Sequence, residues 1–566
     1  MKKPEAGSRK PEGGVEFDPL DLAVMSHAVA MIAEEMGTVL ERGALSPNIR
    51  ERRDASSALF DVRGTMVAQA AHIPVHLGAM PESVRAVRER KPEPGDVFIL
   101  NDPFHGGSHL PDLTLVEAID IGGEIAGYTA IRAHHADVGG MSPGSMPQGA
   151  TELVQEGIIL PPVRLERRGV PDDSMMELIL ANVRTPEERR GDLKAQRGAC
   201  AAGAAGWRAL VAREGAPRLA AACNALLSYA ERRAVARLSA IGDVTGRAED
   251  WLEGDGFSTD PVPLAVKLEI RDGRLHLDFK GTSPKVRGNV NTPMAVTRAA
   301  SLFVLRTLLD DDVPTNEGIA RAISIVTPDD CLINAKWPSA VAAGNVETSQ
   351  RVTDLLFAAL ADAGVAVPAQ GQGTMNNITF GGDGWTFYET LGGGQGASAR
   401  GPGPSAVHVG MSNTRNTPIE SLERSYPILI DGYAIRRGSG GAGEFDGGDG
   451  VVRKYRVMER CTVTLLTERR ARAPRGAMGG GDGTPGRNLL NGEPLPAKCR
   501  VELKSGDVVT IETPGGGLRA GRIILGANWY VLLQRRVRPR PRSSGLRLHQ
   551  LVHLRLHEGV QECGVE

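Results

Sequence analysis

Aromatic residues make up only 4% of this 566-residue chain, and cysteine is rarer still, at six residues. None of the cysteines forms a C-x-x-C pair, and a chain this long needs no disulfide staples, so the usage fits a reducing compartment. Charge of one sign is missing too: 66 Lys and Arg face 68 Asp and Glu, a net of −2. That balance gives no global attraction to nucleic acid. No apolar run approaches the roughly 18–20 residues that span a bilayer. The opening string MKKPEAGSRKPEGGVEFDP lacks the apolar core of a secretory signal. A G-x-x-x-x-G-K-[ST] phosphate loop is absent, as is H-E-x-x-H, so the chain carries neither of those ATP and zinc motifs. The expectation is a cytoplasmic protein with no nucleic-acid and no membrane partner.

What the chain has in excess is glycine, 70 residues, of which 31 fall between 371 and 517. Without a collagen-like period, this glycine must serve turns and close backbone approaches. Short strands alternate with glycine turns there, which predicts a β-rich, loop-heavy region. Upstream, residues 19–42 place apolar side chains at spacings of three and four behind Pro19, an amphipathic helix. DLTLVEAID and EIAGYTAIRA read as strands joined at Ile121-Gly122-Gly123, and 264–281 as a hairpin about Asp272-Gly273. Residues 174–240, 295–310 and 347–363 read as helical. The fold class is therefore mixed α+β in a large multi-domain chain. It combines an N-terminal helix, a β-hairpin region, a central helical segment and a glycine-rich β-dominated C-terminal part. The expected divisions are a disordered leader (1–16), an N-terminal α+β domain (17–260), a middle α+β region (261–370), the glycine-rich region (371–517) and a basic tail (518–566).

Six of the 12 histidines lie between 72 and 135, with Asp102, Asp112 and Asp137 close by. Imidazole and carboxylate together are the ligands of Zn, Mn and Fe(II) sites. The sharp strings are NDPFHGGSHLPD (101–112) and RAHHADVGG (132–140), which flank the first hairpin. With a three-residue loop, Gly122-Gly123-Glu124, Asp112 falls opposite His134, and His109 can fold over the same point. A two-residue loop would shift the register by one and spoil the alignment. His105, His135 and Asp137 are then alternative or supporting residues. His72 and His76 (HIPVH) would share a face if extended, either as packing or as ligands. GNVETSQRVTD puts Glu347, Gln350 and Arg351 at a helix start, where the dipole favours anions. GMSNTRNTPIE offers Asn413 and Arg415 among turns. Both strings suit a polar substrate, and equally capping and turn chemistry. GSGGAG (438–443) matches G-x-G-x-x-G but leads into EFDGGDG rather than a helix, which makes it a glycine turn. His549, His553 and His557 repeat at helical spacing inside the Arg/Pro-rich tail and read as incidental.

These strings, with SPNIRERRD, HIPVHLGAMP and GSGGAGEFDGGDGVVR, occur in an order that resembles the hydantoinase B/oxoprolinase family, over residues 18–517. The resemblance implies the B subunit of an ATP-dependent cyclic amide hydrolase of the hydantoinase or 5-oxoprolinase type. ATP would be bound by a partner, a hydantoinase A-type subunit, which phosphorylates a small cyclic amide substrate; a hetero-oligomer follows. The resemblance also implies a divalent metal (Zn, Mn or Fe) on His109, Asp112 and His134. Metal-bound water would open the ring, with Asp137 or His135 as proton shuttle. The rival readings are the metal-containing subunit of a ketone carboxylase and a non-catalytic assembly subunit. After TPGGG (513–517) the chain departs from the family pattern, with no Asp or Glu from 518 to 557. A replaced or frame-shifted tail is the expectation there.

Overall fold

The computed structural model describes residues 17–519. The leader, the three tail histidines and nearly all of the basic tail lie outside the described residues.

Seven strands form the first sheet: β1 (Ala55–Phe60), β2 (Met66–Ala71), β3 (Val97–Leu100), β4 (Asp112–Ile121), β5 (Glu124–His134), β6 (Val163–Arg167) and β7 (Val170–Pro171), in the order β2-β1-β5-β4-β3-β6-β7. Strand alternation sorts its side chains onto two buried faces. Leu113, Leu115, Ile131 and Ala133 face the long helices Pro19–Gly43 and Pro186–Glu214, in a core that includes Met25, Met36, Leu193 and Trp207. Val116, Ala118, Tyr128 and Ala130 face the Met80–Glu89 helix through Met80, Val84 and Val87. The Pro19–Gly43 helix is long and apolar enough by composition to cross a membrane, contrary to the absence of any such run expected above. One side of it, Met25, Val29, Ala33, Met36 and Leu40, is spent on this core.

A second sheet joins β8 (Val244–Leu252), β9 (Val262–Arg271), β10 (Arg274–Asp278) and β11 (Ile323–Val326), with the expected tight turn at Asp272-Gly273. The glycine-rich region supplies two more. β12 (Asn377–Gly382), β13 (Trp385–Glu389), β16 (Cys461–Leu466) and β19 (Lys498–Leu503) run in the order β13-β12-β16-β19. β14 (Ile428–Arg436), β15 (Gly450–Val457), β17 (Arg487–Leu490), β18 (Glu493–Leu495) and β20 (Val508–Glu512) run in the order β14-β15-β20-β17-β18. The two sheets share a core of Phe380, Phe387, Tyr455, Val463 and Ile511. The glycines let loops cross backbone to backbone. A Cβ on Gly394 would strike the carbonyl of Gly448, and one on Gly516 the carbonyl of Gln395. GSGGAG forms turns and bends within this weave, as the turn reading required. The mixed α+β class holds throughout.

Candidate metal and active site

The first hairpin carries a register correction of its own. Its turn is two residues, Gly122-Gly123, so Ile121 pairs with Glu124 and Asp120 with Ile125. A bulge then inserts Ala126, and from Ile119–Gly127 onward the register returns to the one that sets Asp112 opposite His134. The carbonyl of the extra residue is not wasted: the Trp207 indole donates to it at 3.1 Å. The expected alignment is met, by a shorter loop and a bulge in place of a longer loop.

His109 arrives on the loop before β4. Asn101 holds that loop, donating from Nδ2 to the Leu110 carbonyl at 2.8 Å and accepting from the Leu160 N–H at 2.7 Å. The result gathers His109, Asp112 and His134, whose ligand atoms lie within 4.8 Å of one another and all of which are buried. Asp112 Oδ1 stands 3.0 Å from His109 Nε2 and 3.2 Å from His134 Nδ1. Asp112 Oδ2 accepts from the Ser108 hydroxyl at 2.6 Å and stands 3.4 Å from His76 Nε2. Burial pushes the Asp112 carboxyl up, but the charges of His109 and His76 and the hydrogen bonds of His109 and His134 hold it well below the usual carboxylate range. Burial lowers the His134 imidazole. Behind the carboxylate, Arg132 donates to Thr114 Oγ1, Ser83 Oγ and the Gly106 carbonyl, and reaches Ser108 Oγ at 3.4 Å.

Each imidazole is oriented by its own partner. His109 Nδ1 faces the Ala342 carbonyl at 3.4 Å, and His76 Nδ1 faces Ser56 Oγ at 3.0 Å. The peptides around Ala342 are pinned in turn: the N–H groups of Val341 and Ala342 donate to Glu156 Oε1 at 3.0 and 2.9 Å. Burial lifts the Glu156 carboxyl to about 8 against those hydrogen bonds. The His134 ring stacks on Tyr388 at 4.5 Å, and the Arg52 guanidinium lies 5.1 Å from the same tyrosine ring.

The Nε2 atoms of His76 and His109 are buried facing only the Asp112 carboxylate, and that of His134 is buried without a hydrogen-bond partner among the described residues. Buried polar atoms left in this way are costly unless a ligand takes them. Convergent imidazole nitrogens beside an ionised carboxylate are a donor set that fits a divalent cation.

Other expected residues have other work. His135 follows His134 and therefore points to the opposite face of the sheet, where its Nε2 meets Gln196 Oε1 at 2.8 Å and burial pushes it down to about 4. Asp137 accepts from the N–H groups of Gly139, Gly144 and Arg184 and from the Arg184 guanidinium, so it ties a loop. His105 is exposed and bonded to Asp102 at 2.7 Å. Arg351 is fully buried between Asp250 and Glu468, 3.1 Å from each, which leaves no face for a substrate. Gln350 is spent on the Val409 carbonyl and the Met411 N–H. Glu347 accepts from Met375 N–H and Asn377 Nδ2. Asn413 and Arg415 are exposed; Asn413 Nδ2 donates to the His72 carbonyl at 2.9 Å. His72 itself packs against Gly37, because Pro74–His76 forms a single tight turn that sends only His76 to Asp112. Tyr388, Glu156 and Ala342 carried no local signal, since their partners lie far away in the chain.

The family model for hydantoinase B/oxoprolinase matches residues 18–517. The chain belongs to this family. An uncharacterised protein of Methanocaldococcus jannaschii is 39% identical over 512 residues, covering 88% of this chain and 90% of that one. The 5-oxoprolinase 1 of Arabidopsis thaliana is 36% identical over 534 residues, covering 88% of this chain but only 42% of the plant protein. The crystal structure of ATP-dependent caprolactamase from Pseudomonas jessenii superimposes with a TM-score of 0.83 at 27% identity, covering 89% of this chain and 91% of that one. The family member thus occurs both at this length and as under half of a longer chain.

Proposed function

We infer that this chain is the ring-opening B subunit of an ATP-dependent cyclic amide hydrolase of the hydantoinase or 5-oxoprolinase type. It works in the cytoplasm in a hetero-oligomer, with a hydantoinase A-type subunit that binds ATP. The observation that carries the reading is the set of buried imidazole nitrogens converging on Asp112, within a family that includes 5-oxoprolinases.

His109, Asp112 and His134 would hold a divalent metal, Zn, Mn or Fe, with His76 beside them. When bound, such an ion supplies Lewis acidity toward a carbonyl or phosphoryl oxygen and lowers the pKa of water at the site. The protein's own part is orientation. The Ala342 carbonyl, facing Nδ1, turns the His109 ring so that Nε2 stands beside Asp112. Asp112 stays ionised because of the imidazoles around it. Burial of the whole cluster excludes bulk water and strengthens each electrostatic contact. At the surface, Arg415 lies within electrostatic reach of Arg53; partial burial and that like charge lower its pKa. With Asn413 it offers a cationic, hydrogen-bonding patch to a carboxylate- or phosphate-bearing substrate. Asp137 and His135 serve the fold of the site loop.

The test is turnover of hydantoin and 5-oxoproline, with ATP, by the complex with its ATP-binding partner. Ring opening coupled to ATP consumption is expected, together with bound metal and loss of turnover in His109→Ala. Unchanged activity in that variant, or a purified complex without metal, refutes the site. Bicarbonate-dependent ATP turnover on a ketone would move the same residues to carboxylation.

A further inference from the structure

Resting on the hydrolase reading, a second acidic group is linked to the first through Asn377, Tyr388 and His134. Residues Gly344–Thr348 form one π-helical turn, an arrangement that helices adopt at a cost and often at functional places. The turn is tied to the histidine cluster at both ends. Just before it, Ala342 offers its carbonyl to His109 Nδ1. Within it, Glu347 Oε1 accepts from Asn377 Nδ2 at 2.8 Å, Asn377 Oδ1 accepts from the Tyr388 hydroxyl at 2.8 Å, and Tyr388 stacks on His134. Glu347 is fully buried, and its Oε2 makes no well-formed hydrogen bond among the described residues, with the Thr374 hydroxyl beside the carboxylate. On the same turn, Asn345 Oδ1 is buried and unpartnered as well. A carboxylate with one oxygen anchored by two donors and the other left open is oriented for exchange, whereas neighbouring Arg351 and Glu468 are spent on each other.

We propose that Glu347 is the proton carrier of the ring-opening step, with Oε2 as the working atom and the Met375 N–H and Asn377 amide as its mount. As a water oxygen bonds to the activated ring carbon, its proton passes to Oε2. When the ring C–N bond breaks, its electron pair stays on nitrogen, which takes that proton from Glu347; the phosphoryl group stays on the former ring-carbonyl oxygen as an acyl phosphate, whose hydrolysis by a further water gives carboxylate and inorganic phosphate. The resting form must therefore be ionised. Burial first, and then the charge of Glu468, lift the carboxyl to about 7, while the Thr374 hydroxyl and Lys498 act in the opposite sense. Arg470, from the loop after β16, and Tyr388, from β13, also interact electrostatically with it. Rate should then rise with pH through about 7.

The test compares the wild-type complex with Glu347→Gln, whose side-chain carbonyl keeps both anchoring bonds. Expected are unchanged metal content and thermal midpoint, a fall in kcat of about a hundredfold or more, and loss of the rise through neutral pH. Difference infrared spectroscopy of the wild type should show a carboxyl band titrating at about 7 that the variant lacks. Should the glutamine variant not fold, Glu347→Asp must shift the midpoint of that band. A kcat within about threefold of wild type, a retained pH rise, or a band that neither variant alters overturns the proposal. A band that the variant removes supports it even where no cyclic amide is opened, and that failure falls on the substrate reading alone.

Discussion

Among the described residues, two buried polar clusters differ in what they leave over. In one, Asp250, Asp354 and Glu468 meet Arg351, Arg469 and Lys498, three charges against three. The Asp250 carboxyl would be raised by burial, yet Arg351 and Arg469 hold it far below its usual range. The atoms left unpaired there, Arg351 Nε and Arg469 Nε and Nη1, are N–H donors. In the other cluster, Asp112 meets His76, His109 and His134; His134 Nε2 is left over, and the Nε2 atoms of His76 and His109 converge on the one carboxylate, positions that can present lone pairs. Burial and charge are common to both. Only the second leaves valence that a cation can use, which is why one is read as scaffold and the other as a site.

Substitutions that remove one member from each cluster test this contrast. Arg351→Met strips the countercharge from Asp250 and Glu468 in the interior and should cost about 3–5 kcal/mol of stability, read from urea unfolding. His109→Ala should abolish turnover with a far smaller shift in the same unfolding curve. Equal destabilisation by the two would erase the distinction. His76→Asn is a smaller cut, since His76 stands outside the closest ligand set. Metal affinity should fall about 10–100-fold, measured by competition with a chelator. An unchanged affinity would make His76 packing alone. The mildest effect concerns Glu156, which pins the peptides around Ala342. Its carboxyl keeps a proton up to about 8 in the fold, against an ordinary value of 4.5. Between those values the native state binds more protons than the unfolded one, so stability falls as pH rises through that window. Glu156→Gln should flatten that slope in unfolding midpoints measured from pH 5 to pH 8, and an unaltered slope would remove Glu156 from the account.

Much of this was legible in residue order. The helix at Pro19–Gly43, the hairpin carrying Asp112 and His134, the turn at Asp272-Gly273 and the glycine-rich sheets all follow from local periodicity and turn chemistry. The alignment of Asp112 with His134 was right although its loop was two residues rather than three. Pairing rules count residues and do not see a bulge, and Ala126 made up the difference. Arg351 misled, because a polar string at a helix start looks the same whether it meets a substrate or a buried aspartate.

The order of residues by itself determined which chemistry was on offer: imidazole and carboxylate on the two arms of one hairpin, with no phosphate loop in the chain. Only the tertiary structure decided who used it. His109 is oriented by Ala342, 233 positions away, and Asp112 is approached by His76 from another turn. His134 is stacked on a tyrosine from a different sheet. Local spacing can bring side chains to one face. Whether a buried nitrogen is satisfied or left open depends on which distant segment packs against it, and that is a property of the fold.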